Sequence, residues 1–176
     1  MKRTLLALVV VGCLALVAVP RVSAQGLRWG VGVGALMPMG DYDSLDKMGW
    51  VVTGGGTYWL TGGTLGVRGD LAYSSTKHDG GAGETKIIGG MASLVYGFGP
   101  ANSAMRPFLN GGVGFFNLDG GAGSSTKVGF GIGGGLSFKA GTGGMRVVVA
   151  TRYTSVSSNG TTFNWLPITV ALTFGK

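Results

Sequence analysis

The sequence predicts an all-β protein, an eight-stranded antiparallel transmembrane β-barrel after a cleaved signal peptide. Three observations predict it. From about Leu27 onward the chain runs as eight segments of roughly ten residues that alternate every second residue. The connections between them read long, short, long, short. An export signal precedes them all.

The N-terminus sets the compartment. Lys2 and Arg3 give a positive start, Leu5 to Val19 an apolar run, and Val22-Ser23-Ala24 a small-residue site before Gln25. These are the parts of a secretory signal peptide, with cleavage after Ala24. The apolar run is short for a transmembrane helix, and Pro20 follows it directly. Val10-Val11-Gly12-Cys13 resembles a lipoprotein-processing site, but strongly apolar sequence continues past Cys13. The expected division is residues 1–24 as signal peptide and 25–176 as one barrel domain. Cys13 is the only cysteine, so the mature chain can hold no disulfide and no thiolate metal site.

Removing Lys2, Arg3 and Arg21 with the signal leaves eleven basic residues against seven acidic ones, a net charge of +4. That balance, with no basic cluster among aromatics, argues against nucleic acid as a partner. Of 37 glycines, 36 follow residue 24. They lack a G-x-y period and are interleaved with Val, Phe, Ile, Trp and Tyr, which excludes collagen and disorder. Glycine inside strands marks close backbone approach, as a narrow barrel interior requires.

The strands follow in order. Leu27–Met37 sets Trp29, Val31, Val33, Ala35 and Met37 against Arg28, Gly30, Gly32 and Gly34. Gly49–Leu60 is less clean, with Trp50, Val52, Tyr58 and Leu60 on one face beside Gly54 and Gly56. Thr64–Ser74 opposes Leu65, Val67, Leu71 and Tyr73 to Gly66, Arg68, Asp70 and Ala72. Thr85–Phe98 opposes Ile88, Ala92, Leu94, Tyr96 and Phe98 to Gly89, Met91, Ser93 and Gly97. Arg106–Leu118 opposes Leu109, Val113 and Phe115 to Asn110, Gly112 and Gly114. Lys127–Phe138 opposes Val128, Phe130, Ile132, Leu136 and Phe138 to Gly129, Gly131, Gly133, Gly135 and Ser137. Met145–Thr154 opposes Met145, Val147, Val149 and Tyr153 to Arg146, Val148, Ala150 and Arg152. Phe163–Phe174 opposes Leu166, Ile168, Val170, Leu172 and Phe174 to Thr169, Ala171 and Thr173.

One face is therefore large and apolar, the other small or polar. A soluble barrel would turn the large face inward and carry frequent Lys and Glu outside, yet these are almost absent from strand interiors. The large face suits lipid, and only a closed barrel satisfies every strand's backbone in a bilayer. Thr61–Gly63, Gly99–Ala104 and Lys139–Gly144 read as periplasmic turns. Gly40–Met48, Ser75–Glu84, Asp119–Thr126 and Ser155–Thr162 read as longer outer loops. Trp29, Tyr58, Trp59, Tyr96, Phe98, Phe138 and Phe174 are the expected periplasmic aromatic girdle. Trp50, Tyr73, Phe115, Tyr153, Phe163 and Trp165 are the expected outer one.

In this pattern the mature chain resembles the small eight-stranded outer-membrane barrels of the OmpA/OmpX type, including adhesin-like relatives. Ile168-Thr-Val-Ala-Leu-Thr-Phe174 resembles that family's terminal assembly signal, with Gly175 and Lys176 added after the aromatic Phe174. The resemblance implies a bacterial outer-membrane location and contact with outer-membrane lipids and lipopolysaccharide. It also implies folding by the barrel-assembly machinery with periplasmic chaperones.

Chemistry-bearing residues are few. Arg28, Arg68, Asp70, Arg146 and Arg152 fall on the lumen face, with Arg106 near its periplasmic end. Buried arginines need partners, and Asp70 is the only carboxylate on that face. A charge network with Arg146 or Arg152 is expected, plugging a lumen just wide enough for side chains. His78, the only histidine, stands near Ser74, Ser75, Asp79 and Glu84, the raw materials of an acyl-transfer site but also of an ordinary loop. Asp41, Asp43 and Asp46 could gather a divalent cation but lack the glycine and closing glutamate of an EF-hand. Gly30-x-Gly32-x-Gly34 has the wrong spacing for a dinucleotide site. The expectation is a non-enzymatic barrel without cofactor, in a structural or surface-interaction role with an unidentified surface ligand. The alternatives are a narrow channel for small solutes or hydrophobic molecules and, behind it, a lipid A-modifying enzyme.

Overall fold

The computed structural model describes residues 26–175 apart from 61–62, 81–82, 121–122, 142 and 159–160. The signal peptide, its cleavage site, Cys13 and Lys176 lie outside the described residues. Eight strands follow in chain order: β1 (Leu27–Met39), β2 (Gly49–Trp59), β3 (Leu65–Lys77) and β4 (Glu84–Gly97), then β5 (Met105–Asp119), β6 (Ser124–Lys139), β7 (Arg146–Ser158) and β8 (Thr161–Gly175). Each pairs antiparallel with the next, and β8 closes on β1 with Trp29 opposite Phe174 and Met39 opposite Asn164. A single 3-10 turn at Gly40–Tyr42 follows β1. Among the described residues no helix is long and apolar enough to cross a membrane.

The two-residue alternation becomes a wall with an apolar outside. Val33, Leu71, Phe115 and Ile132 are each more than 60 % exposed on the outer surface. Asp70, Ser93, Asn110 and Arg146, one or more positions away in the alternation, are buried inside. A surface of that kind is stable only against lipid. Pro167 interrupts one ladder: it has no amide hydrogen, and the β7–β8 pairing skips Arg152 and Tyr153.

Three aromatic assignments change. Trp59, Phe163 and Trp165 do not stand in the girdles but turn inward: Trp165 is 5 % exposed, Phe163 packs on the same inner cluster, and Trp59 packs on a second one. Strand parity is the reason. Phe163 and Trp165 share the face of Thr169 and Ala171, and a bulky residue obeys the pleat whatever its preference for the interface. The lumen is therefore less small and polar than its glycines suggest. Leu36, Val51, Ile87, Met91, Phe116, Val156 and Trp165 form an outer apolar cluster with Tyr42. Val95, Phe108 and Val148 form a periplasmic one.

The connections also differ from expectation. The outer strand ends approach each other closely, with only 120–123 between β5 and β6 and 159–160 between β7 and β8. The strands themselves continue past the girdle, to Asp119 beyond Phe115 and to Ser158 beyond Tyr153. Much of what composition marks as loop is hairpin ribbon, because pairing across a closed barrel extends the ladder into Ser- and Thr-rich sequence. Measured from the girdle, this side still reaches farther, which keeps it outermost.

Candidate functional site: the lumen and the outer mouth

Asp70 on β3 is the centre of the lumen. It is 8 % exposed. Its Oδ1 accepts from Arg68 Nε on the same strand, and its Oδ2 accepts from Arg152 Nη2 at 2.8 Å. Arg152 lies on β7, four strands from β3 in either direction around the ring, so this bond spans the barrel's diameter. Arg152 Nη1 donates to Met91 Sδ at 3.2 Å. With the amide of Asn110 turned so that its oxygen faces Arg152, that oxygen accepts from Nη2 at 2.8 Å and its nitrogen donates to Gly133 O at 3.1 Å. Glycine makes the room: a Cβ on Gly131 would lie 2.9 Å from Met91 Cε and 3.0 Å from Arg152 Cδ.

Arg28 and Arg146 do not reach Asp70. Arg28 Nη1 donates to Gly144 O at 2.9 Å. Arg146 donates from Nε to Ser137 Oγ at 2.7 Å, and from Nη2 to Ser103 O and Ser137 O at 2.9 Å each. Arg106 donates to Gly63 O and Gly97 O and lies 4.5 Å above the Trp59 ring. The three sit at the periplasmic strand ends, where turn carbonyls are within reach and one carboxylate halfway up the barrel is not. No sequence signal announces carbonyl partners, because every residue supplies one.

The lumen thus has three tiers. Trp165 packs edge-on to Phe116 at 5.3 Å and to Tyr42 at 6.5 Å, forming a roof. The Arg68–Asp70–Arg152 belt lies below it, and the Arg106–Trp59 pair forms a floor. A cavity of about 90 Å³ remains between roof and belt, and another of about 80 Å³ between belt and floor.

The outer mouth has its own network. Asp46, only 1 % exposed, accepts through Oδ2 from Thr76 Oγ1. That hydroxyl has a single proton, so Tyr42 OH donates to Thr76 Oγ1 across 2.7 Å. Burial is the main cause that pushes the Tyr42 phenol well above its ordinary range, with the Asp46 charge adding to it. His78 Nε2 lies 3.5 Å from Asp46 Oδ1 and 3.2 Å from Thr85 Oγ1. Lys47 N donates to Lys77 O at 2.8 Å and Asp79 N to Leu45 O at 2.9 Å, so the first loop is pinned to β3 and its extension. An open cleft of about 610 Å³ lies here, lined in part by Leu45, Asp46, His78, Thr85 and Phe163.

The expected neighbours of His78 are engaged elsewhere. Asp79 pairs with Lys47, and Glu84 pairs with Lys86 and accepts from Ser75 Oγ at 2.9 Å. His78 meets its hydroxyl and its carboxylate through the same nitrogen. Relay catalysis requires the two on opposite ring nitrogens. Asp41 and Asp43 are exposed while Asp46 is buried under Tyr42, and among the described residues no group of three acidic, His or Cys side chains could hold a metal.

Residues 5–174 match the family described as outer membrane protein beta-barrel domain. The fold is similar to Neisserial surface protein A, at 16 % identity and TM-score 0.66, covering 86 % of this chain and 98 % of that one. It is similar to the N-terminal barrel domain of Pseudomonas aeruginosa OprF, at 16 % identity and TM-score 0.53, with coverages of 85 % and 98 %. The outer membrane enzyme PagL aligns at 21 % identity and TM-score 0.50, with coverages of 85 % and 99 %. No curated protein matches the chain in sequence.

Proposed function

Because the chain belongs to the outer membrane protein beta-barrel domain family and is a protein of the bacterial outer membrane, we propose that it is a closed, non-enzymatic barrel with a structural or surface-interaction role. The observation that carries this reading is the Asp70–Arg152 bond across the diameter of the lumen. A side-chain strut at mid-height, roofed by Trp165 and floored by Trp59, stands between two small cavities. What remains for interaction is the outer mouth, where the first loop is held to β3 and a cleft faces the exterior. The single-nitrogen arrangement at His78 favours this reading over an acyl-transfer enzyme, although the fold itself is compatible with one, as PagL demonstrates. The barrel-assembly machinery and periplasmic chaperones would fold the chain. Phe174, outward-facing and 5.0 Å from Trp29, would be the terminal aromatic that the machinery reads.

Planar-bilayer recording tests this. The unmodified barrel is expected to show at most small, brief currents, and Arg152→Ala to raise them by removing bulk and strut together. Large stable openings from the unmodified protein would replace the closed barrel with the channel reading.

A further inference from the structure

The geometry points to a binding site for a tetrahedral oxyanion, phosphate by charge and shape, in the cavity between the Asp70 belt and the periplasmic floor. This goes beyond the closed-barrel reading and does not depend on it.

Charge is the first argument. Five arginines line the lumen or its periplasmic end, and Asp70 is the single carboxylate among them. Its two oxygens are already engaged by Arg68 and Arg152. Among the described residues Arg28, Arg106 and Arg146 have only neutral oxygens as partners, which solvate a guanidinium without cancelling its charge, and of the three it is Arg28 that lines the cavity. The other six acids all lie in or beside the outer connections, so among the described residues the periplasmic half holds cations alone.

Placement is the second argument. Arg28, Thr57 and Arg68 face one another across β1, β2 and β3, since Arg28 pairs with Thr57 and Thr57 with Arg68. All three line the lower cavity, and Ser137 and Thr173 line it from β6 and β8. Ser137 Oγ accepts from Arg146 Nε, so its own proton remains to be donated. With Thr173 Oγ1 donating to Arg146 O and Arg68 Nε to Asp70, the Arg28 guanidinium, the remaining Arg68 nitrogens, the Thr57 hydroxyl between them and the Ser137 hydroxyl opposite are left as donors of the kind a phosphate group requires. No carboxylate lines this cavity to repel it.

Leftover polarity is the third argument. Ser93 stands next to Arg68 in the same cross-strand row, is 4 % exposed, and its Oγ has no partner. The Nε of Arg106, a residue 6 % exposed, is also unpartnered. Buried polar atoms without partners are rare, and these two lie behind the cavity wall, Ser93 beside Arg68 and Arg106 over Trp59, both of which line it.

The test is thermal unfolding of the folded full chain, read by heat-modifiable gel mobility. Inorganic phosphate is titrated against chloride at matched ionic strength. Phosphate is expected to raise the midpoint saturably, by about 3 °C at tenfold excess over Kd. Chloride should not. Each variant is compared with its own phosphate-free midpoint: Arg28→Gln and Thr57→Val should lose the phosphate increment, and Lys47→Gln at the outer mouth should keep it. A second arm uses phosphatidylcholine vesicles with and without phosphatidic acid, free of inorganic phosphate. An increment there that Arg28→Gln abolishes identifies a lipid phosphate as the occupant, whereas an increment from free phosphate alone identifies the soluble ion. Equal response to phosphate and chloride, no response in either arm, or a full increment in Arg28→Gln overturns the proposal.

Discussion

Outward of Asp70, the lumen is packed by Trp165, Phe116, Ile87 and Leu36; toward the periplasm it is held by Arg28, Arg106 and Arg146 over Trp59. The outer half is a miniature hydrophobic core enclosed by strands whose other face meets lipid. Its cohesion comes from apolar area and shape, which salt scarcely touches. The periplasmic half has a smaller apolar cluster at Val95, Phe108 and Val148, and adds to it charge-assisted bonds from three arginines to carbonyls of the strand ends and turns. Such bonds work near the strand ends, where several carbonyls lie together and water is close. The same eight strands thus carry two kinds of filling, and the Asp70 belt is the boundary between them.

Substitutions on either side of that boundary should behave differently. The largest effect is expected in the outer half. Trp165→Ala empties a packed aromatic site and should cost about 3–5 kcal/mol in urea unfolding from lipid vesicles. A loss below about 1 kcal/mol would mean that the roof is solvated and not packed. The wall separates inside from outside in the same way. Val170→Arg places a charge against mid-bilayer lipid and should cost about 2–4 kcal/mol, well beyond Thr169→Arg, which enters a polar interior. Indistinguishable effects on folded-band recovery would contradict the facing of β8.

In the periplasmic half, Arg106→Met removes a buried charge along with its carbonyl bonds. The two changes nearly offset each other, so the net should stay within about 1 kcal/mol. A loss as large as that of Trp165→Ala would erase the distinction between the halves. The smallest effect concerns Tyr42. Its phenol titrates from 10.0 when unfolded and higher when folded. Its contribution is therefore fully present below pH 10 and is lost as pH rises beyond it toward the folded value. Tyr42→Phe should flatten this alkaline decline in an unfolding series, and an unchanged decline would assign it to other groups.

The wall was legible in the sequence and the filling only partly so. Alternation is strictly local, which is why Val31, Leu71 and Val113 could be set outside and Arg28, Asp70 and Arg146 inside from spacing alone. Trp165 and Phe163 followed the same parity, but the preference of aromatic rings for the interface argued the other way, and the pleat prevailed. Arg152 and Arg146 share a face and a charge, so nothing local separates the one that crosses the lumen from the one that reaches Ser103 and Ser137. That choice depends on height along the barrel, set by a register of eight pairings that no single strand encodes. Asp46 and His78 came together for a similar reason: the bridge between them joins the first outer loop to the end of β3.

The central claim is that Asp70 and Arg152 meet across the lumen and close it. A double-mutant cycle tests it directly, with Asp70→Asn, Arg152→Met and the pair measured by urea unfolding from lipid vesicles. Asp70→Asn alone should cost about 3–5 kcal/mol, because it strands buried guanidinium charge. Adding Arg152→Met should recover part of that loss, giving a coupling of about 1–3 kcal/mol. Losses that simply add, with no coupling, would show that the two side chains do not meet and that the lumen is not closed by this bond.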